Sequence, residues 1–474
     1  MQGALRKPPP ARHEIALPLE AAREKSILAR LGESLRRHRR AILALQWVVV
    51  IAYATLVALP AFLPLPAEHA GILDNLTRFA QFVFWGLWWP FVILSIVALG
   101  RSWCGFLCPE GALTEWVSRY GAHRRMPRWL QWGGWPFVAF VTTTVYGQLI
   151  SVYEYPKPAL LILGGSTLGA IGVGLVYGRE KRLWCRHLCP VSGVFALLAR
   201  LAPLHYRVDR EAWERSHAKP GRINCAPLVH IKSMTGTADC HMCARCAGHK
   251  DAISLAARWP GSEVVQTGAG GVSRWQSRLV TWGMLGVAAG AFHWSASPWL
   301  VALKQAVAAW LVEREIFWPL AAPGHWWLLT DYPQANDVFS WLDGALLLAY
   351  LGATALALGA WANSWLFVAE RALRLPDARR TLALTLTPFA GLTVFLGLFG
   401  LTTSQLAAEG ITFAWLPWLR ALLLGLALAW SGALAHLWIA RQAASAGRKF
   451  AAGAATMAAL ALPLAAWLVF FYRW

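Results

Sequence analysis

Arg101-Ser-Trp-Cys-Gly-Phe-Leu-Cys-Pro109 and, 81 residues further on, Arg182-Leu-Trp-Cys-Arg-His-Leu-Cys-Pro190 are one phrase written twice. Each brings two thiols four positions apart and closes on a proline. The last six positions of the bacterial iron–sulfur run C-x2-C-x2-C-x3-C-P have this form, and all four of its thiolates ligate clusters. Here the halves stand alone, each behind a pair of apolar runs. A third group, Cys240-x2-Cys243-x2-Cys246, supplies the part they lack, and Cys225 is the one cysteine outside these groups. The eight cysteines therefore divide into two sets of four: Cys104, Cys108, Cys185 and Cys189, and Cys225, Cys240, Cys243 and Cys246.

Around these motifs the chain of 474 residues is 57% hydrophobic, with a mean hydropathy of +0.43. That balance points to an all-α polytopic membrane protein. A formal net charge of +20 raises nucleic acid as a partner, but the basic residues sit in short loops between apolar runs, where positive charge sets membrane orientation. The 29 Trp suit the bilayer interface. Leu35-Arg-Arg-His-Arg-Arg40 precedes an apolar run too long for a signal peptide, so the first span reads as an uncleaved anchor.

Roughly 20 apolar residues cross a bilayer as helix. About nine such runs are expected, near 42–63, 79–99, 130–150, 158–178, 275–297, 339–361, 381–401, 415–440 and 451–471, with a kink at Pro90. Threaded alternately, they leave the loops 101–129, 179–273, 362–380 and 441–449 rich in Arg and Lys. The loops 64–78, 151–157, 298–338 and 402–414 are poor in them and carry Glu68, Asp74, Glu154, Asp331, Asp337 and Glu409. The N-terminus is predicted to be cytoplasmic, the C-terminus periplasmic, and all the cysteines cytoplasmic at a bacterial inner membrane. Four segments follow: a basic arm (1–40) with room for an amphipathic helix, duplicated transmembrane hairpins (41–205), a small ferredoxin-like cysteine segment (206–262), and C-terminal spans (263–474). The hairpin repeats are parallel, related by an axis along the membrane normal, which would bring the two C-x3-C-P segments face to face. Gly165, Gly169 and Gly172 in the fourth run are expected to let helix backbones approach. An interfacial helix is expected near 300–315.

For Cys240, Cys243, Cys246 and Cys225 the spacing favours a [4Fe–4S] cluster over zinc, whose sites pair separated knuckles or add histidines, and over an empty degenerate site. For Cys104, Cys108, Cys185 and Cys189 a second [4Fe–4S] cluster competes with a redox-active dithiol and with a transient copper site, since soft thiolates also select Cu(I). A disulfide is disfavoured in a reducing cytoplasm. Arg101, Arg182, Arg186 and His187 would bring positive charge to such a cluster. Heme is not expected. No C-x2-C-H motif is present, and His293 and His436 fall at opposite ends of their spans, where each reads as a packed polar residue.

The duplicated C-x3-C-P motif behind transmembrane hairpins, followed by ferredoxin-like cysteines, resembles the membrane polyferredoxins of the NapH and NosR type, to which the copper-reducing oxidase assembly protein CcoG is related. The resemblance covers roughly residues 40 to 255. Two departures stand out: Lys250 and Asp251 occupy the places of the last Cys and Pro of the loop run, and no flavin-binding domain is visible ahead of the first span. The expectation is an inner-membrane iron–sulfur electron-transfer protein, in character a quinol dehydrogenase-like subunit. It would exchange electrons between a membrane quinone or cytoplasmic donor and another redox protein, with membrane lipid around it and no nucleic acid as partner. The alternative is a copper-handling or copper-reducing assembly factor for a metalloenzyme. Glu68, His69 and Glu154, at the outer ends of the hairpins, are candidates to accept quinol protons.

Overall fold

The computed structural model describes residues 26–67, 69–216 and 223–474. It is an all-α fold with seven helices long and apolar enough to cross a membrane: Arg39–Phe62, Leu76–Leu99, Pro156–Tyr177, Trp341–Leu373, Thr387–Ala408, Leu416–Ala440 and Ala446–Tyr472. The two remaining expected spans are helical but of another kind. Trp135–Leu149 has 15 residues, about 22 Å at ~1.5 Å per residue, short of a hydrocarbon core of ~30 Å. Helical structure also runs unbroken from Arg274 to Ala296, with Arg274 and Arg278 in its first turn and Leu279, Val280, Met284 and Leu285 sealed in the core.

These two helices run side by side in one direction. Trp132 meets Trp275 edge-on at 4.7 Å at one end, and Trp294 Nε1 donates to Gln148 Oε1 at 2.7 Å at the other. The loops consequently segregate as the charge pattern requires. At the cysteine end, Trp438 donates to the Thr267 carbonyl and Thr381 to the Gly268 carbonyl. At the far end the Ile72 amide donates to Glu409 and the Tyr155 hydroxyl to Asp337. Glu68 lies outside the described residues. His69 and Glu154 are exposed at that far end.

The duplication is visible in the backbone. Wide, π-helical turns occur at Phe82–Trp88 and Leu160–Gly164, at matching points of the two hairpins. The first lies directly before Pro90, where the ladder must accommodate a residue without an N–H. The small-residue expectation needs correcting. Gly169 receives the Trp184 ring, while Gly165 and Gly172 face nothing within 4 Å. The close backbone approach occurs lower on that helix, where a Cβ on Gly174 would stand 2.6 Å from the Thr114 carbonyl.

Two antiparallel strands, β1 (Leu204–Val208) and β2 (Ile253–Ala257), clasp the cysteine loop between them. Tyr206, Met242, Ala244, Ala247, Ile253 and Leu255 form its core. The helix Ile27–Arg37, capped by Ser26 Oγ on the Ala29 amide at 3.1 Å, lays Leu28 and Leu35 on that core. The described end of the basic arm is thus a docked amphipathic helix with its arginines outward. At the far end the helix Pro298–Glu313 buries only Leu311, as an interfacial helix should. His293 is buried and stacked on Phe470, as expected. His436, in contrast, is exposed on Leu416–Ala440 rather than packed, because it falls on the outward face of that helix.

Candidate iron–sulfur centres

Each C-x3-C-P phrase folds the same way. A one-turn helix, Ser102–Phe106 or Leu183–His187, ends where Leu107 and Leu188 leave helical geometry. The amides of Leu107 and Cys108 both donate to the Trp103 carbonyl, each at 2.9 Å, and those of Leu188 and Cys189 to the Trp184 carbonyl at 2.9 and 3.0 Å. The proline then starts the next helix in the first copy, Pro109–Val117, since its missing N–H costs nothing there. Cys108 Sγ caps that helix, accepting from the Gly111 amide at 3.4 Å.

The four thiols of these copies act on one another. Burial, then Cys185 and Cys104, holds the Cys108 thiol well above the ordinary range. Burial, then Glu110, Cys185, Cys108 and Cys104, does the same to Cys189. Cys185 is pushed up to about 12 by burial, with Arg182 opposing and Cys104 adding. Two buried guanidiniums stand beside them, Arg101 and Arg182, exposed by 3% and 1%. Burial works against the charge on Arg101, yet Cys104, Cys185 and Cys189 keep it above its ordinary value.

The two arginines cross over. Arg182, from the second copy, donates through Nη1 to the Cys104 carbonyl of the first. Arg101, from the first, donates to Ser192 Oγ at 3.1 Å, and Ser192 Oγ donates to the Cys185 carbonyl of the second at 2.7 Å. Ser192 and Gly111 occupy equivalent positions 81 residues apart. A Cβ on Gly111 would stand 3.1 Å from Arg182 Nη1, so the missing side chain is what lets that arginine reach its carbonyl directly. Glu110 lies half-buried below, accepting from Ser166 Oγ at 2.6 Å and Trp184 Nε1 at 2.9 Å.

The second set gathers in the loop. Cys240 is pushed up to about 12 by burial, then by Cys243. Cys246 is raised by burial, then by Cys240, Cys243 and Cys225. Cys225 is itself raised by burial, with Cys243 adding and Lys181 and Arg245 opposing. Its segment is tied to the second C-x3-C-P copy by Lys181 Nζ on the Cys225 carbonyl at 3.0 Å and the Arg182 amide on the Ala226 carbonyl at 2.8 Å. Glu263, buried, braces the approach to Cys240 through the Thr237 amide and hydroxyl and Arg258, at 2.8, 2.8 and 2.9 Å. Asp251, which stands where the ferredoxin run has proline, takes φ +52°, a conformation closed to proline. The chain here therefore cannot make the missing Cys-Pro turn.

Thiols that are buried at Cys104 and Cys185 and half-buried at the other six, with cations beside them, suit an anionic cluster, whose ligands must be deprotonated thiolates. Among the described residues no three Cys, His, Asp or Glu side chains converge on one metal ion. A cubane spreads its ligands over separate iron corners and tolerates wider spacing. Of the flanking residues singled out in the sequence, Arg101 and Arg182 lie at the thiols, Arg186 pairs with Asp239 at 2.5 Å, and His187 is half-buried. Sequence reading missed Glu115, Arg245, Glu110 and Glu263. Glu115 binds Arg182 at 2.9 Å and Arg245 at 2.5 Å, linking the two sets, and nothing local in the chain signals such a long-range pair.

Residues 81–127 and 163–208 each match the family model of a 4Fe-4S binding domain. These segments contain both C-x3-C-P phrases and exclude the loop cysteines. The chain is 23% identical over 183 residues to YccM of Escherichia coli K12, a protein named for electron transport, covering 33% of this chain and 50% of that protein. It is 22% identical over 177 residues to the regulatory protein NosR of Pseudomonas aeruginosa, covering 33% and 25%. It is 30% identical over 122 residues to the methylamine utilization ferredoxin-type protein MauN of Paracoccus denitrificans, covering 22% and 40%. The chain spans half or less of the length of these curated relatives, and no solved structure matches it. It carries the 4Fe-4S binding domain in duplicate and is related, over about a third of its length, to the ferredoxin-type proteins of the NosR, YccM and MauN kind, consistent with the NapH and NosR group that its paired C-x3-C-P phrases resemble.

Proposed function

We propose that this protein is an inner-membrane electron carrier with two [4Fe–4S] centres, one on Cys104, Cys108, Cys185 and Cys189 and one on Cys225, Cys240, Cys243 and Cys246. It would exchange electrons with membrane quinone and a second redox protein. What supports the reading is that all eight cysteines are unpaired thiols, buried at Cys104 and Cys185 and half-buried at the other six, at one end of an apolar helix bundle, where those of each proposed set raise one another's thiols. Such a cluster, when bound, supplies one-electron chemistry at a potential set by charge, hydrogen bonding and burial. The chain's own part is to hold thiolates in a dry site against Arg101, Arg182 and Arg245, whose charges favour the more negative state. The Arg and Lys asymmetry of the loops supports a cytoplasmic N-terminus and cytoplasmic centres, with the C-terminus periplasmic.

Anaerobically purified protein is expected to hold about eight irons and eight acid-labile sulfides per chain, as two cubanes require. About four irons would leave one centre, and zinc or copper in place of iron would overturn the reading. In electron paramagnetic resonance of the reduced protein, Cys225→Ala should remove or convert only the loop signal, and Cys189→Ala only the other. An unchanged spectrum in Cys225→Ala would strike that residue from the ligand set. Reporter fusions after residues 120 and 250 should read cytoplasm, and those after 330 and 474 periplasm. Reduction by defined quinols in membranes tests the electron partner.

A further inference from the structure

The two thiol sets touch through backbone. Gly105, directly after Cys104, lies against the His241–Cys243 turn: a Cβ built on it would collide with the His241 carbonyl and stand 3.0 Å from the Cys243 nitrogen and 3.1 Å from its Cα. Any other residue would wedge the sets apart. Three further links hold the same junction. Gln46 Nε2 donates to the Gly105 carbonyl at 2.9 Å, and Arg101 Nη1 to the Ala238 carbonyl at 3.0 Å. The third is the buried chain Arg182–Glu115–Arg245, which joins a guanidinium bonded to the Cys104 carbonyl with one that lies between Cys243 and Cys246. His241, in that turn, is 2% exposed, and a small cavity lined by Gln46, Gly105, Cys243 and Arg245 opens beside the contact.

From this we propose that the two centres form one electrically continuous unit, with Gly105 as the positioning residue that brings the Cys104 and Cys243 ligands into backbone contact and so sets the rate of electron passage between the centres. The step balances simply: one centre loses an electron, the other gains it, and no bond is made or broken. Because electron tunnelling falls exponentially with separation, a close backbone approach between the two sets is the geometry that favours it. The glycine makes that contact possible, and the ion-pair chain resists its opening, since breaking a buried pair leaves an uncompensated charge.

The inference rests on the two-cluster reading, and one experiment separates their failures. In the fully reduced, anaerobically purified wild type, electron paramagnetic resonance should show two spins that interact magnetically. Gly105→Ala should keep its iron content but lose the interaction, leaving two independent spectra, and should slow transfer between the centres after flash reduction. An iron content near four in the wild type would sink the cluster assignment and the junction with it. Iron near eight with two non-interacting spins in the wild type would overturn the junction alone. If Gly105→Ala retains both its iron and the full interaction, Gly105 does not position the centres. Should that variant shed iron, the wild-type spectrum decides by the same criterion, interacting spins supporting the junction and independent spins refuting it.

Discussion

The two C-x3-C-P copies share a backbone to the level of individual amides, yet their arginines are anchored differently. Arg101 ends on neutral groups, the Ala238 carbonyl and the Ser192 hydroxyl. Arg182 ends on a carboxylate, Glu115, and on the Cys104 carbonyl. The first copy also holds two acids, the half-buried Glu110 and the buried Glu115, where the second has Val191 and Ala196 at the equivalent positions. Duplication has preserved the scaffold that presents thiols and has let charge diverge around it. The first copy has become the acidic partner of the ferredoxin-like loop, and the second the basic one.

This difference can be broken from its strongest side first. Arg182→Ala would leave Glu115 with Arg245 as its one remaining ion-pair partner and strip the Cys104 carbonyl, a loss of about 3–5 kcal/mol for a severed buried pair, read as a lowered Tm or faster iron release. Arg101→Ala should cost less, about 1–3 kcal/mol, because it abandons hydrogen bonds without stranding a carboxylate. Equal losses would mean the Glu115 chain contributes nothing beyond the crossover. Ser192→Gly makes the second copy resemble the first and removes one relay hydroxyl, for about 0.5–1.5 kcal/mol.

A local effect lies outside the repeats and serves as their control. Burial, then Arg258, pushes the His205 imidazole on β1 down to about 4, against ~6.5 in an unfolded chain. Protonation therefore favours the unfolded strand. Stability from the neutral ring is complete above pH ~6.5 and is lost as pH falls from there toward 4. Amide exchange of β1 and β2 should accelerate across that window in the wild type and do so less in His205→Gln.

How much of this was legible follows from the range of each signal. Cysteine spacing is local, so a division into two sets of four could be proposed from it, with Cys225 placed by elimination, and the 81-residue repeat announced the paired folds. Apolar run length marked seven spans, but it could not distinguish Trp135–Leu149, too short to cross alone, or Arg274–Ala296, apolar because it is interior. The glycine stripe misled for the same reason: small residues show that a close approach is possible, not which of them it uses, and Gly174 rather than Gly165 meets a neighbour. Glu115, Arg245 and Gly105 were invisible because their meaning is a contact across 60 to 140 positions. No pattern in the flanking residues encodes it.

The crossing of the arginines bears on biogenesis. A ribosome delivers the first hairpin with Arg101 and the Cys104 carbonyl complete in sequence but without their partners, which arrive as Ser192, Arg182 and Ala238. Glu115 waits longer still, until Arg245 emerges. The loop thiols cannot be brought together on the nascent chain before residue 246 has been made, when just over half of the protein exists and the fourth apolar run has already been synthesised, whereas the thiols of the paired C-x3-C-P phrases are complete by residue 189 and wait only for Arg245 to finish the ion-pair chain around them.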